Sequence, residues 1–234
     1  MNLIKKILEL LYPHTCCFCG KAHVEGICEE CREEIVDIQE PRCKACGKPI
    51  LSEEKEYCAD CERQPIYYEQ GKNLWVHKGK VSRSIYQFKY HNRRIYGKTY
   101  ALELFRRYGT YIKAWKIDVI LPIPIHVKRR RKRGYNQTEI IARELAMLTG
   151  IPMDLESVKR IQDTRPQKEL DQRERRQNLQ KAFVLKKIAE SPRRILLIDD
   201  IYTTGATINA VAKLLSEKEG SKVWFLTISI GQDF

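Results

Sequence analysis

Apolar residues recur along this chain in two rhythms. At 118–125 (DVILPIPI), 193–198 (RRILLI) and 223–230 (VWFLTISI) they form short, nearly unbroken runs, which read as buried strands. Between and after these, 137–149 (QTEIIARELAMLT, stopped by Gly150) and 206–219 space their apolar residues along one helix face. Strands that alternate with helices predict a parallel sheet covered on both faces. Near the start, Leu3, Ile4, Ile7, Leu8 and Leu11 recur at helical spacing, so 2–12 reads as a short amphipathic helix that Pro13 ends. Its polar face is short, which favours packing on the rest of the protein over a membrane anchor.

The pattern divides the chain into an N-terminal helix at 1–13, a cysteine-rich segment at 14–65 and a larger α/β domain at 66–234. The middle segment is rich in Cys, Glu and Lys and lacks long apolar runs, so it cannot build a hydrophobic core alone. After Pro65 the composition turns aromatic and aliphatic, without a Gly/Ser linker. The whole chain has 234 residues and is 43% apolar, enough for one packed domain with a small appendage. No stretch approaches the roughly 20 apolar residues of a membrane span. Lys5, Lys6 and Glu9 interrupt the N-terminal run as a secretory leader would not, so a cytoplasmic protein without stable membrane insertion is expected. The net charge of +13 favours acidic partners: nucleic acid, phosphorylated small molecules or anionic lipid.

Eight of the nine cysteines form four C-x-x-C pairs, Cys16/Cys19, Cys28/Cys31, Cys43/Cys46 and Cys58/Cys61, and Cys17 is the odd one out. Two pairs complete the tetrahedral four-sulfur shell that Zn²⁺ prefers, so eight cysteines suit two structural ions. Gly20 and Gly47 directly follow the second cysteine of their pairs and begin each unit, which favours sequential pairing into two zinc ribbons over an interleaved cross-brace. An iron–sulfur cluster, a redox C-x-x-C and disulfides are the competing uses of these thiols.

The stretch RILLIDDIYTTGATI, residues 194–208, ends an apolar run in two carboxylates and follows them with hydroxyls and a glycine. A strand over 195–198 would end at Asp199 and Asp200, with a loop leading to a helix that begins near Ala206. In open α/β sheets the crevice beyond the strand carboxyl ends takes the ligand. Unpaired amides at the helix start, the hydroxyls of Thr203, Thr204 and Thr207, and close backbone access at Gly205 suit a phosphate monoester. Two aspartates suit a ribose diol and the positive charge that develops on a reacting sugar ring. Neither G-x-x-x-x-G-K-[ST] nor G-x-G-x-x-G occurs.

ILLIDDIYTTGAT resembles the 5-phosphoribosyl-1-pyrophosphate (PRPP) signature of type I phosphoribosyltransferases, with Asp199 and Asp200 as its acidic pair and Thr203, Thr204, Gly205, Ala206 and Thr207 as its phosphate loop. LPIPIHVKRRRKRGYNQ, RPQKELDQRERRQN and the leading C-x-x-C pairs are similar to the ComF family, associated with DNA uptake in natural competence. The resemblance covers nearly the whole chain. It implies a type I phosphoribosyltransferase-like parallel sheet with flanking helices, preceded by a small zinc-ribbon segment with four cysteines to each metal. It further implies PRPP and Mg²⁺ as ligands, Asp199 and Asp200 as catalytic residues, and single-stranded DNA with a DNA-uptake helicase or other competence protein as partners.

Lys128, Arg129, Arg130, Arg131, Lys132 and Arg133 form an unbroken cationic run, expected as a loop across the crevice from the phosphate loop. It would meet a pyrophosphate, with Arg133 as a bidentate clamp, Gly134 giving backbone access and Tyr135, Asn136 and Gln137 beside them. The same cations would equally track a nucleic-acid backbone, with Tyr135 stacking on a base. Residues 160–178 are too charged for core and read as a mobile cover, within which Arg165, Gln167, Arg175 and Asn178 match the family pattern. The aromatics of SIYQFKYHNRR, Tyr86, Phe88 and Tyr90, are expected on a core face, with nucleotide stacking beside Lys89 as the alternative. No histidine has a catalytic context in the sequence.

Overall fold

The computed structural model describes residues 15–23, 26–163, 181–187 and 193–231. The expected N-terminal helix at 2–12 lies outside them. In chain order the elements are α1 (Glu29–Glu33), α2 (Ala59–Glu62), β1 (Gln70–Val76), α3 (Gly79–Tyr90), α4 (Tyr96–Ala114), β2 (Val119–Pro122), α5 (Val127–Arg133), α6 (Gln137–Thr149), β3 (Val158–Arg160), β4 (Phe183–Leu185), β5 (Arg194–Tyr202), α7 (Ala206–Glu219) and β6 (Lys222–Ile230).

The main sheet runs β1-β6-β5-β2 and every neighbouring pair is parallel. The three apolar runs form β2, β5 and β6, and the two amphipathic segments form α6 and α7. Side-chain alternation along the strands then sorts the core into two layers. Leu196, Ile198, Leu226 and Ile228 meet α3, α4 and α6 through Ile85, Phe88, Tyr100, Leu104, Ile141 and Leu145. Ile195, Leu197, Val223 and Phe225 meet α7 through Ile208, Val211 and Leu215. Both faces of the sheet are therefore covered, as near-continuous apolar strands require.

The cysteine segment completes both layers instead of forming one of its own. Cys16, Cys17, Ile27 and Cys31 join the α3/α4 layer, whereas Ile38, Cys43, Ala45 and Cys46 join the α7 layer. The first half docks by Phe18 edge-on to Trp75 and by a two-pronged Arg32–Glu103 pair at 3.0 and 3.1 Å. The second docks along β1: Asn73 Nδ2 donates to the Cys46 carbonyl at 2.7 Å, and the Gly71 amide donates to the Ala45 carbonyl at 2.7 Å.

Three features depart from the sequence expectation. First, β1 and the helices α3 and α4 do not follow from the apolar runs. Second, β5 does not stop at the acid pair but carries on to Tyr202, with Asp199 in register with Thr227 and Tyr202 with Ile230. Third, the cationic run at 128–133 lies in a helix, Val127–Arg133, not a loop. Its His126 side chain accepts from the Lys128 amide at the start, and Gly134 closes it in the left-handed region at φ 80°. The cations in its last turn also suit the negative end of the helix dipole. Among the described residues no helix is long and apolar enough to cross a membrane.

Candidate functional site

Asp199 and Asp200 lie near the carboxyl end of β5, where the parallel sheet opens. Asp200 is buried and doubly held: Lys89 Nζ, from the last turn of α3, sits 2.7 Å from Oδ1, and Gln137 Nε2, from the first turn of α6, donates to Oδ2. Asp199 is the less enclosed of the two. Desolvation, then the neighbouring Asp200 charge, raises its carboxyl to about 7, against the pull of the Asp200 backbone amide, Lys89 and Arg160. Two carboxylates that share one desolvated site resist simultaneous ionisation. An arriving cation relieves this conflict, so the pair fits a divalent metal or a positively charged sugar.

The loop expected to hold phosphate follows without a break. Thr203 and Thr204 are exposed, Gly205 is buried and left-handed at φ 74°, and Ala206 opens α7. A Cβ on Gly205 would lie 2.2 Å from the Tyr202 hydroxyl oxygen, so glycine is required here by both conformation and space. The loop thus brings Thr203, Thr204 and Thr207 to the start of a 14-residue helix whose first amides have no intrahelical acceptor.

The segment beside the acid pair is tied to it by side chains. Arg133 Nη1 donates to Gln137 Oε1, and Gln137 in turn donates to Asp200. Gly134 is exposed, and Asn136 caps α6 while holding the Ile123 carbonyl. On α5, Lys128, Arg130, Arg131 and Lys132 face solvent, with Arg129 paired to Asp163 at 2.8 Å and Arg130 to Glu139 at 2.6 Å. Tyr135 is not available for a base: it is buried, its hydroxyl donates to the Phe88 carbonyl, and the Arg94 guanidinium covers its ring at 4.6 Å. The exposed aromatics nearby are instead Tyr86 and Tyr90, 55% and 58% accessible. Their ring centroids are 4.9 Å apart, and Arg133 lies over Tyr90 at 5.0 Å. Only Phe88 of that trio belongs to the core, because α3 buries one stripe and leaves the other to solvent.

Two residues join the site that the sequence did not link to the acid pair. Lys89 is one. His77, just past β1, is the other: its Nδ1 lies 2.9 Å from Ser229 Oγ, and burial, then the Lys89 charge, lowers its pKa against the pull of Asp200. Of the expected cover, residues 160–163 are described: Arg160 ends β3, which pairs antiparallel with β4, and lies over the Phe183 ring at 5.3 Å. Arg165, Gln167, Arg175 and Asn178 lie outside the described residues.

The cysteines gather into two tetrads, Cys16/Cys19/Cys28/Cys31 and Cys43/Cys46/Cys58/Cys61, with all four sulfurs of each within 4.8 Å of one another. Pairing is therefore sequential, not interleaved. Cys19–Cys28 and Cys46–Cys58 sulfurs are 3.7 Å apart, close to the edge of a tetrahedron with Zn–S bonds of about 2.3 Å. Four converging thiols with no open position fit a structural zinc in each tetrad. Cys17 is buried in the core instead, and its carbonyl accepts from Ser84 Oγ.

Residues 7–62 match the double zinc ribbon domain. Solved structures similar to this chain include adenine phosphoribosyltransferase from Leishmania tarentolae, at 15% identity and TM-score 0.39 over 70% of this chain and 92% of that one. Among curated relatives, "DNA utilization protein YhgH" of Salmonella typhimurium is 25% identical over 86% of this chain and 89% of its own length. "Competence protein ComFC" of Bacillus subtilis is 26% identical over 83% and 79%. "Competence protein F" of Haemophilus influenzae is 31% identical over 92% of this chain and 97% of its own. With paired cysteine tetrads, a parallel α/β sheet and this end-to-end match in hand, the chain belongs to the competence protein F family.

Proposed function

We propose that this protein binds PRPP together with Mg²⁺ and acts as a phosphoribosyltransferase in the handling of incoming DNA during natural transformation, on the cytoplasmic side of the membrane. The single observation that carries this reading is the continuity of an acid pair and a glycine-turned loop across one strand end. Asp199 and Asp200 lie just before the end of β5, and Gly205 turns the chain within a few residues into the amide-rich start of α7. The 5-phosphate would be held by Thr203, Thr204, Gly205, Ala206 and Thr207, and the ribose diol would meet the carboxylates. Mg²⁺ would be held beside Asp199 and Asp200 together with its ligand, and would supply positive charge that offsets the charge of the leaving pyrophosphate. Asp199 and Asp200 then face the positive charge that develops on the ribosyl ring as pyrophosphate departs. Arg133 and Gly134 stand on the pyrophosphate side, Arg133 being linked to Asp200 through Gln137. Relatives named for competence and DNA utilisation support the DNA context.

Calorimetric titration with PRPP and Mg²⁺ tests it. The wild type should bind, and the Asp199→Asn/Asp200→Asn double variant should bind at least about 10-fold more weakly, the weight of two charge-assisted contacts. Equal binding by both proteins, or none by the wild type, rejects the reading.

A second reading has its own observation: the exposed Tyr86–Tyr90 pair with Arg133 over one ring, beside the solvent-facing cations of α5. Exposed aromatic rings next to a cationic track suit the bases and phosphates of single-stranded DNA. An adaptor of this kind, delivering DNA to a helicase or other competence protein, should bind oligonucleotides with an affinity that falls steeply with salt. Neutralising Lys128, Arg130, Arg131 and Lys132 should flatten that dependence. Salt-independent or absent binding removes this reading.

A further inference from the structure

The second cysteine tetrad is joined to the 203–207 loop by an unbroken series of contacts. Beyond α2, which ends just after the ligand Cys61, the chain runs along the loop and the start of α7. Gln64 Nε2 donates to the Thr204 carbonyl at 3.3 Å. Asn209, in the first turn of α7, donates through Nδ2 to the Pro65 carbonyl at 2.8 Å and accepts the Tyr67 amide through Oδ1 at 2.9 Å. Beneath these contacts the Tyr68 hydroxyl lies 3.7 Å from the Cys61 sulfur and 3.0 Å from the Tyr202 hydroxyl. Gly205 rests directly on that second hydroxyl. Both tyrosines are buried and both rings lean on Phe225, Tyr68 edge-on and Tyr202 stacked, each at 5.0 Å.

A thiolate only accepts, so with the metal in place Tyr68 donates to sulfur and its own oxygen is left to accept from Tyr202. The metal centre thereby fixes the polarity of the hydroxyl pair on which the loop's left-handed glycine sits. The first tetrad has different neighbours: Lys80 Nζ lies 3.4 Å from Cys31 Sγ, and the surrounding contacts run to α3 and α4 through Ser84 and Glu103 and to β1 through Trp75. The two centres are therefore not equivalent with respect to the site.

We propose that the second tetrad, acting through Tyr68, Tyr202 and Asn209 as positioning residues, holds the 203–207 loop in its phosphate-binding conformation. Zinc occupancy at that centre and phosphate-monoester affinity are then linked. The inference rests on the reading of 203–207 as a phosphate loop. Linkage is reciprocal, so a ligand in the loop must tighten metal binding at the second centre by the factor that metal loss weakens the ligand.

The test uses the full chain, ribose 5-phosphate and PRPP with Mg²⁺ as probes, and cobalt substituted for zinc. Wild type should show ligand-dependent change in the cobalt–thiolate absorption and tighter retention against a chelator at one of the two centres. Tyr68→Phe and Asn209→Ala should keep two metals per chain. They should also bind ribose 5-phosphate about 5- to 10-fold more weakly, because each removes side-chain hydrogen bonds that position the loop, and lose the spectral response. Wild-type affinity in both variants, or a ligand-insensitive cobalt spectrum in a wild type that binds the probes, overturns the linkage while leaving the phosphate reading intact. A wild type that binds neither probe overturns both.

Discussion

At the scale of single residues, the site is organised around the unequal treatment of two adjacent acids. Asp200 is buried but held by Lys89 and Gln137, whereas Asp199 bears the cost of desolvation and, after it, of its neighbour's charge. Because the Asp199 carboxyl stands at about 7 in the folded chain and near about 3.9 in an unfolded one, its ionisation opposes folding. The penalty is absent below about pH 4, grows as pH rises toward 7 and is complete above that. Asp199→Asn removes it. Discounted for its partial exposure, the variant should gain about 1–3 kcal/mol of unfolding free energy at pH 8 and almost none at about pH 3, measured by urea denaturation. A variant less stable than wild type at pH 8 contradicts this account of the pair. The acids themselves were legible because an apolar run ends on them, although the strand itself continues to Tyr202. Lys89 and His77 were not, since a helix contact and a strand end far apart in sequence supply them, and no local pattern encodes that meeting.

At the scale of elements, the loop between β5 and α7 depends on one backbone conformation. Gly205 is left-handed and lies against the Tyr202 hydroxyl, so Gly205→Ala meets both a backbone penalty and a steric clash. It should cost about 2–4 kcal/mol in chemical unfolding and abolish ribose 5-phosphate binding. A stable variant with wild-type affinity would show that the loop has another resting form. The strands and helices with clean periodicity, β2, β5, β6, α6 and α7, were legible for that reason. The cationic helix α5 was not, because it has no apolar stripe: capping at both ends and dipole-compatible charges hold it. Strand β1 escaped notice because its centre is polar by necessity. Asn73 bridges the Cys46 carbonyl and the Thr227 hydroxyl, and Gly71 makes room for the Phe225 ring. Aromatic spacing in α3 was visible, but which of Tyr86, Phe88 and Tyr90 turns inward depends on the helix's packing partner.

At the scale of the whole molecule, the cysteine segment is a pair of clasps, one on each layer of the sheet. The change of composition near residue 65 marks it in the sequence, yet its buried cysteines belong to the same apolar layers as the sheet. Metal binding and folding should then be coupled across the chain. Chelation should lower the melting temperature of the entire protein in a single transition, instead of melting a ribbon step while the α/β part stays unchanged. Calorimetry with and without chelator distinguishes these outcomes, and two separate transitions would contradict the shared core. The same clasps place one metal centre behind the 203–207 loop and the other behind α3 and α4, giving the molecule its asymmetry.

The most direct measurement is a diffraction structure of the full chain with PRPP and Mg²⁺ bound. The account predicts the 5-phosphate among Thr203, Thr204, Gly205, Ala206 and Thr207, the ribose hydroxyls toward Asp199 and Asp200, and the pyrophosphate toward Arg133 and Gly134. A sugar phosphate bound elsewhere, or a loop left empty at saturating PRPP, would contradict it.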